Sequence, residues 1–306
     1  MSAKISVGSS AFAIGSYKDD PIPFDDVIRR LSDVGYEGIE LFGDKPYGHP
    51  DDYPTKADRR ALHAKLADHS LEISNYGADF WGIPLGESDA KARQYEDAFK
   101  RNLEFAIDVG ADSIRVDTVT GSYPDGDRAA IWRRYVSTWR NCARLAADAR
   151  IDIFWEFEPG FIINKPSEIT RLVDEIGEPN FRLMFDACHA QMSGVNGARQ
   201  DGEKETVASV ADFVRLSGSR IGTVHLIDSD NTLHHDETST HAPFGEGVLD
   251  FDEIMKALLA IGYRGPWWTI DLCFWPTAWD IVAPSHRFVR ELLERHGLRR
   301  PSGAAS

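Results

Sequence analysis

The sequence predicts an α/β protein, a single-domain (β/α)8 barrel, and three observations carry that prediction. Strand-like and helix-like segments alternate along the whole chain. Eight strand–helix units can be counted, and strands that alternate with helices run parallel through right-handed crossovers. Four of the helices close on the same Ile/Val-Gly step into the next strand: LSDVGYEGIEL, AIDVGADSIRV, VDEIGEPNFRLMF and LLAIGYRGPWWTI. A glycine just past a helix accepts the left-handed conformation that ends it, so one short turn recurs as an internal repeat.

Taken in order, ISVGSSAF precedes the helical DDVIRRLSDVG, and GIELFG precedes TKADRRALHAKLADHS. LEISNYGADF leads to DAKARQYEDAFKRNLEFAIDVG, DSIRVDTV to DRAAIWRRYVSTWRNCARLAADA, and IDIFWEFE to SEITRLVDEIG. FRLMFDACHA, IGTVHLIDSD and PWWTIDLCF supply three more strands, each followed by a helical stretch. The helices carry apolar residues at three- and four-residue spacing, whereas the strands are short apolar runs rich in β-branched and aromatic residues. A length of 306 residues suits one such barrel. We place it over residues 1–298 and expect residues 299–306, RRPSGAAS, to be a disordered tail. A doubly wound open sheet is the alternative; its nucleotide-binding forms would show GxGxxG or GxxxxGK[ST] after the first strand, and neither occurs.

Composition removes several function classes. A net charge of −15 repels phosphate backbones and anionic membrane faces, so nucleic acid and membrane are not expected as partners. Cys142, Cys188 and Cys273 form neither a CxxC pair nor an even framework, which fits a reducing cytoplasm. The first residues, MSAKISVGSSAFAIG, lack the long apolar core and basic flank of a secretion signal, and no apolar run reaches the length of a membrane span.

In a barrel of this type, chemistry belongs at the C-terminal ends of the strands. Those ends carry Glu40, Arg115, Asp117, Glu156, Glu158, Asp186, His189, His225, Asp228 and Asp271. So many like charges around one cavity call for a cation among them. Glu156, Asp186, His225 and Asp271 stand on four successive strands, each just after an apolar run. Three carboxylates and one imidazole suit one divalent ion, Mn²⁺ first, with Mg²⁺, Co²⁺ or Zn²⁺ as alternatives. The plain alternative is that each is a polar strand end or a satisfied buried histidine. His189, three residues past Asp186, is placed to act on a ligand hydroxyl or oxyanion. Glu158 shares the strand face of Glu156 and is expected to meet substrate, as is Arg115. Tyr76, Phe80, Trp81, Phe161, Phe274, Trp275 and Trp279 crowd the same ends, where a sugar ring or flat aglycone could stack; Trp81 and Trp275 are taken as the substrate contacts. The segment LIDSDNTLHHDETSTHAPFGEGVLDF reads as a long polar lid or rim, from which His241 is expected to face the site while His234 and His235 meet solvent.

WEFEPG, then FDACH about thirty residues later, then VHLID and HAPFGEGVLDFDEIMKALLAIGYRG, resemble the xylose isomerase-like TIM-barrel family of sugar isomerases and epimerases. The resemblance spans nearly the whole chain. It implies a metal bound by Glu156, Asp186 and His225, with the fourth ligand at Asp271, where the family usually carries glutamate. In the family's 3-epimerases the first and last of these acids also act as the two bases, so the resemblance marks Glu156 and Asp271 as catalytic, beside the His189 that its place after Asp186 marks. It further implies a small sugar or glycoside substrate and leaves a homo-oligomer or a small partner subunit open. Isomerisation or epimerisation of a keto-sugar is the first expectation. A lyase acting as an inosose-type dehydratase or on 3-keto-glycosides is the second, and a non-catalytic sugar-binding protein the third.

Overall fold

The computed structural model describes residues 3–118, 127–235 and 237–300. Seven parallel strands, β1 (Lys4–Gly8), β2 (Gly38–Gly43), β3 (Glu72–Ala78), β4 (Ser113–Asp117), β5 (Asp152–Glu156), β6 (Phe181–Asp186) and β7 (Ile221–Leu226), are followed by an antiparallel hairpin, β8 (Asp228–His234) with β9 (Thr238–Ala242). β10 (Trp267–Ile270) then closes the barrel between β7 and β1, in the order β1-β10-β7-β6-β5-β4-β3-β2. These eight barrel strands are the eight read from the sequence. Within the long polar segment, β8 and β9 pair as a hairpin in place of an irregular loop.

The outer ring consists of α1 (Phe24–Val34), α2 (Lys56–Asp68), α3 (Asp89–Val109), α4 (Arg128–Asp148) and α5 (Pro166–Ile176), then α6 (Ala187–His189) with a π-helical turn at Ala190–Val195. α7 (Val210–Ser217), α8 (Phe251–Ala260) and α9 (Ala278–Arg295) complete it. The repeated glycine turn works as its chemistry requires. Gly35 and Gly110 sit past α1 and α3 at φ of 99° and 81°, and their N–H groups satisfy carbonyls of the last helical turn. Among the described residues no helix is long and apolar enough to cross a membrane, and all three cysteines are buried and free.

Alternation along each strand sorts the side chains into two sets. Ile5, Val7, Ile153, Trp155, Leu183 and Phe185 are buried in the core shared with the helices. The other set points inward. It is unusually small and polar in mid-barrel, where Ser6 and Thr269, neighbours in register, hydrogen-bond at 2.8 Å and Ser113 and Thr223 are buried. Two residues further along the same strands come Asp271, Arg115 and His225, and Glu156 and Asp186 reach the same end from β5 and β6. Register aligns them directly, Asp117 beside Glu156 and Asp186 beside His225. At the chain's end, Arg299 is tied down by an ion pair with Glu37 at 2.7 Å and by the Ala3 carbonyl. Arg300 is exposed, and residues 301–306 of the expected tail lie outside the described residues.

Candidate active site and metal centre

Glu156, Asp186, His225 and Asp271 are buried, and each offers one ligand atom within 4.8 Å of the other three. Two atoms on opposite sides of one ion at ~2.2 Å would stand ~4.4 Å apart, so the set closes on a single ion with shifts of a few tenths of an ångström. What distinguishes this group from a chance cluster is how each member is held. Glu156 Oε2 lies 3.2 Å from Arg115 Nη1, Asp186 Oδ1 accepts the His189 N–H at 2.7 Å, and Asp271 Oδ1 accepts the Cys273 N–H at 2.9 Å. His225 Nε2 is 3.1 Å from Glu40 Oε2. One polar atom of each side chain is thereby anchored. The remaining atoms, Glu156 Oε1, Asp186 Oδ2 and His225 Nδ1, are buried without a hydrogen bond, and Asp271 Oδ2 is 3.6 Å from His225 Nδ1. Glu156 Oε1 and His225 Nδ1 are 2.8 Å apart without the alignment of a hydrogen bond, close enough to share one ion. Buried polar atoms are rarely left unpaired, so the donor set fits a divalent cation.

The electrostatics agree. Burial, reinforced by the Glu156 and Asp271 charges, pushes the Asp186 carboxyl well above the usual carboxylate range. Burial alone would push the His225 imidazole down, but Glu40 and Glu156 raise it well above its ordinary value. Asp271 moves the other way. The charges of His241, His225 and Arg115 outweigh burial and hold it below the carboxylate range.

Part of the cation that the sequence demanded is supplied by the chain itself. Arg115, expected to meet substrate, lines the cavity but spends its guanidinium on three carboxylates: Glu40 at 3.3 Å, Glu156 at 3.2 Å and Asp117 at 3.5 Å. Glu40 also accepts from Asn75 at 2.9 Å and so links Arg115 to His225. Burial, with the Glu156 and Glu40 charges adding and Arg115 opposing, pushes Asp117 up to about 7.

Over this centre stand His189, His241 and Glu158. The His189 Nδ1 is 2.9 Å from the Ser239 hydroxyl, and burial, helped by His241, keeps the ring below its ordinary pKa and hence neutral. The two imidazoles are 5.0 Å apart, and neither His241 nitrogen has a hydrogen bond. Glu158 lies just beyond the end of β5 and still faces the cavity. Its Oε2 accepts from Thr238 at 2.6 Å, and burial raises its pKa strongly. β9 delivers Thr238, Ser239 and His241, so the hairpin is the roof of the site. It seats on the Pro-Gly exit of β5, where a side chain at Gly160 would meet the Glu237 carbonyl at 3.1 Å.

The cavity above these groups has a volume of about 560 Å³. Trp81, Phe161, Phe274, Phe42 and Ile14 form its apolar wall. Trp275 does not line it. That indole packs on the core, and its Nε1 donates to Thr277 at 3.1 Å, because Phe274 adopts the left-handed region at φ 62° and turns the next residue away. Trp279 leaves the site too, edge-on to Phe12 and under Arg30. Tyr76 and Phe80 belong to the aromatic core with Phe105, Tyr95 and Phe99.

The sequence signature described as xylose isomerase-like TIM barrel matches residues 28–297. The chain belongs to this family. It is 22% identical to the fructoselysine 3-epimerase of Escherichia coli O157:H7 over 252 residues, covering 80% of this chain and 84% of that protein. With the inosose dehydratase of Geobacillus thermodenitrificans it shares 25% over 273 residues, 82% of each chain. A solved structure of D-psicose 3-epimerase in the presence of D-fructose superposes with a TM-score of 0.72 over 95% of this chain and 99% of that one, at 19% identity, a likeness of fold.

Within this member of the xylose isomerase-like family, three site features escaped the sequence reading. Glu40 was visible at a strand end, but its pairing with His225 joins residues 185 positions apart. The hairpin had a signal, the alternating burial of Thr238–Ala242 seen as TSTHA in the sequence. The cavity wall at Ile14 and Gly15 comes from short 3-10 turns after β1, whose residues carry no chemical marker.

Proposed function

We propose that this protein is a divalent-metal-dependent isomerase or epimerase that removes a proton next to the carbonyl of a keto-sugar or related polyol ketone. The observation that carries the reading is the donor set: four buried side chains, each anchored by one atom, with the other atoms converging. Glu156, Asp186, His225 and Asp271 would hold the ion, with Mn²⁺ favoured by three oxygens and one nitrogen. A bound divalent ion supplies positive charge that stabilises an enediolate oxygen and so acidifies the neighbouring C–H.

The proton falls to His189. Burial keeps the ring neutral, and in the tautomer that donates Nδ1–H to the Ser239 hydroxyl its Nε2 carries the lone pair that takes the proton. Glu156 is a poorer base here because Arg115 occupies one oxygen and the centre the other. Asp271 is in the same position, between the Cys273 N–H and the centre. Glu158, whose pKa burial raises strongly, is the group placed to offer a hydrogen bond to a substrate oxygen. The hairpin covers the His189 and Glu158 side of the site, and screening from water there would protect a reactive carbanionic species.

A second reading, elimination of a β-substituent by a lyase, is favoured by Asp271. A carboxylate one methylene shorter than glutamate draws its oxygen back by about an ångström, and such a displacement can cost on the order of a hundredfold where a second base is needed. Elimination needs only one base. Incubation of metal-loaded protein with a panel of ketohexoses, inososes and 3-keto-glycosides in deuterated water decides. Deuterium in the substrate pool with inversion at carbon supports epimerisation, and release of water or an alcohol supports the lyase. If no member of the panel exchanges or reacts, the carbon-acid reading is wrong.

A further inference from the structure

We infer that Asp228 is a positioning residue of this site: its carboxylate clamps the base of the roof hairpin and so fixes Ser239 against His189 and Thr238 against Glu158. The inference rests on the reading above in which His189 takes the proton, and it adds a residue that belongs neither to the ligand set nor to the cavity wall.

Asp228 opens β8 and is buried, 2% exposed. Its Oδ1 accepts the N–H groups of Ser229 at 2.9 Å and Leu249 at 3.1 Å, and its Oδ2 accepts those of Gly245 at 3.0 Å and Gly247 at 3.2 Å. Hydrogen bonds to a charged acceptor are the strong ones, and a buried carboxylate that loses them bears the full cost of its desolvation.

These bonds tie the two ends of the hairpin together. In register Asp228 faces Ala242, the last residue of β9, and Gly245–Leu249 is the chain just beyond that exit. Val248 also donates its N–H to the Ser229 carbonyl at 2.8 Å. Only glycine permits the approach at 247, since a Cβ there would collide with the Asp228 carboxylate and the Ser229 carbonyl.

Strand pairing alone does not set the far end of the hairpin. The ladder pairs Asp228 with Ala242 and Ser229 with His241, then shifts, and resumes at Leu233 with Ser239 and His234 with Thr238. Asn231 sits inside the shift at φ 64°. A bulged ladder leaves its register to outside contacts. On the flank they come from the segment that carries His189: Gln191 and Asn196 donate to the Asn231 side chain at 2.9 and 3.0 Å, and the Cys188 thiol to the Thr240 carbonyl at 3.2 Å. At the base they come from Asp228. Held at both places, the hairpin sets Ser239 Oγ 2.9 Å from His189 Nδ1 and Thr238 Oγ1 2.6 Å from Glu158 Oε2. A shift of about an ångström at such a group can cost on the order of a hundredfold, so the base of the hairpin bears on the chemistry at its tip.

Asparagine at 228 keeps the shape but turns an NH2 group toward two of the N–H donors, which opens the clamp. Full-length wild type and Asp228→Asn, loaded with Mg²⁺ as a diamagnetic ion, are compared by amide hydrogen exchange and by the ¹⁵N signals of the histidine side chains. Wild-type His189 should show one neutral tautomer, protonated at Nδ1. In Asp228→Asn the amides of Thr238–Ala242 should exchange about tenfold faster or more, His189 should lose that single tautomer, and Mn²⁺ uptake should stay at one ion per chain. Ser239→Ala should lose the tautomer without the faster exchange, which separates the contact from the clamp that positions it. If Asp228→Asn does not fold, wild type decides: under rising urea the amides of Gly245, Gly247 and Leu249 should open together with those of β9, as one unit. A wild-type His189 protonated at Nε2, separate opening of the two segments, or an Asp228→Asn protein with unchanged exchange and tautomer or with a lost ion overturns the inference. If the signatures hold while no ketone of the panel exchanges deuterium, the proton-transfer reading falls and the clamp stands.

Discussion

Replacing Arg115 with methionine removes the one guanidinium that touches Glu40, Asp117 and Glu156 at once. Its side chain is 12% exposed and those of the three acids 4% or less, so water cannot take over its role. Asp117, already pushed up to about 7, can take a proton, and Glu40 keeps Asn75 and His225. Glu156 loses the cation beside its Oε2 and keeps only His225, 2.8 Å from its Oε1. Removing one partner of a buried ion pair typically costs about 3–5 kcal/mol, and methionine fills much of the arginine's volume, so little of the loss comes from a cavity. At roughly 2–4 °C per kcal/mol for a large single domain, the melting temperature should fall by about 6–20 °C. Urea unfolding of wild type, Arg115→Met and Arg115→Lys in the presence of chelator measures this directly, with lysine expected to recover only part because it lacks the planar fork. A loss under about 1 kcal/mol for the methionine variant would refute the argument, since the three acids would then not depend on Arg115 as their counter-charge.

Two further outcomes follow from the anchoring of the ligand atoms. Glu40→Gln weakens the acceptor that fixes His225 and should lower Mn²⁺ affinity by about 10–100-fold, read by competition with a fluorescent chelator; unchanged affinity would show that Glu40 does not orient the imidazole. His189→Ala and Glu158→Gln should each retain the ion and lose about two orders of magnitude or more in deuterium exchange, and ion loss from either would place that residue among the ligands.

The barrel was legible because its determinants are local. Apolar period, helix-ending glycines and strand-end polarity are all written within a dozen residues of one another, and register then brings Asp186 beside His225 without further information. The clustering of Glu156, Asp186, His225 and Asp271 was legible for the same reason, as homologous positions on successive strands. What sequence spacing could not show is which partner each polar atom would take. Arg115 reads as one more charge at a strand end, and only the closed barrel turns it toward Glu40 and Glu156. Trp275 and Phe274 are adjacent aromatics of equal standing in the sequence. The positive φ of Phe274 decides which of them faces the cavity, and that conformation is imposed by Gly15 and His234 from distant segments. Tyr76 and Phe80 fail as wall residues through a plainer effect, since the helices packed on that side offer them an aromatic core.

The central claim is that Glu156, Asp186, His225 and Asp271 together bind one divalent ion. Protein stripped with chelator, titrated with Mn²⁺ and followed by the loss of free-ion paramagnetic resonance, counts sites without reference to any substrate. Wild type should take up one ion per chain and gain thermal stability as occupancy rises, about 2.7 kcal/mol at a hundredfold excess over Kd, whereas Asp186→Ala should take up none at the same concentrations. No stoichiometric uptake by wild type, or full uptake by Asp186→Ala, would contradict the account.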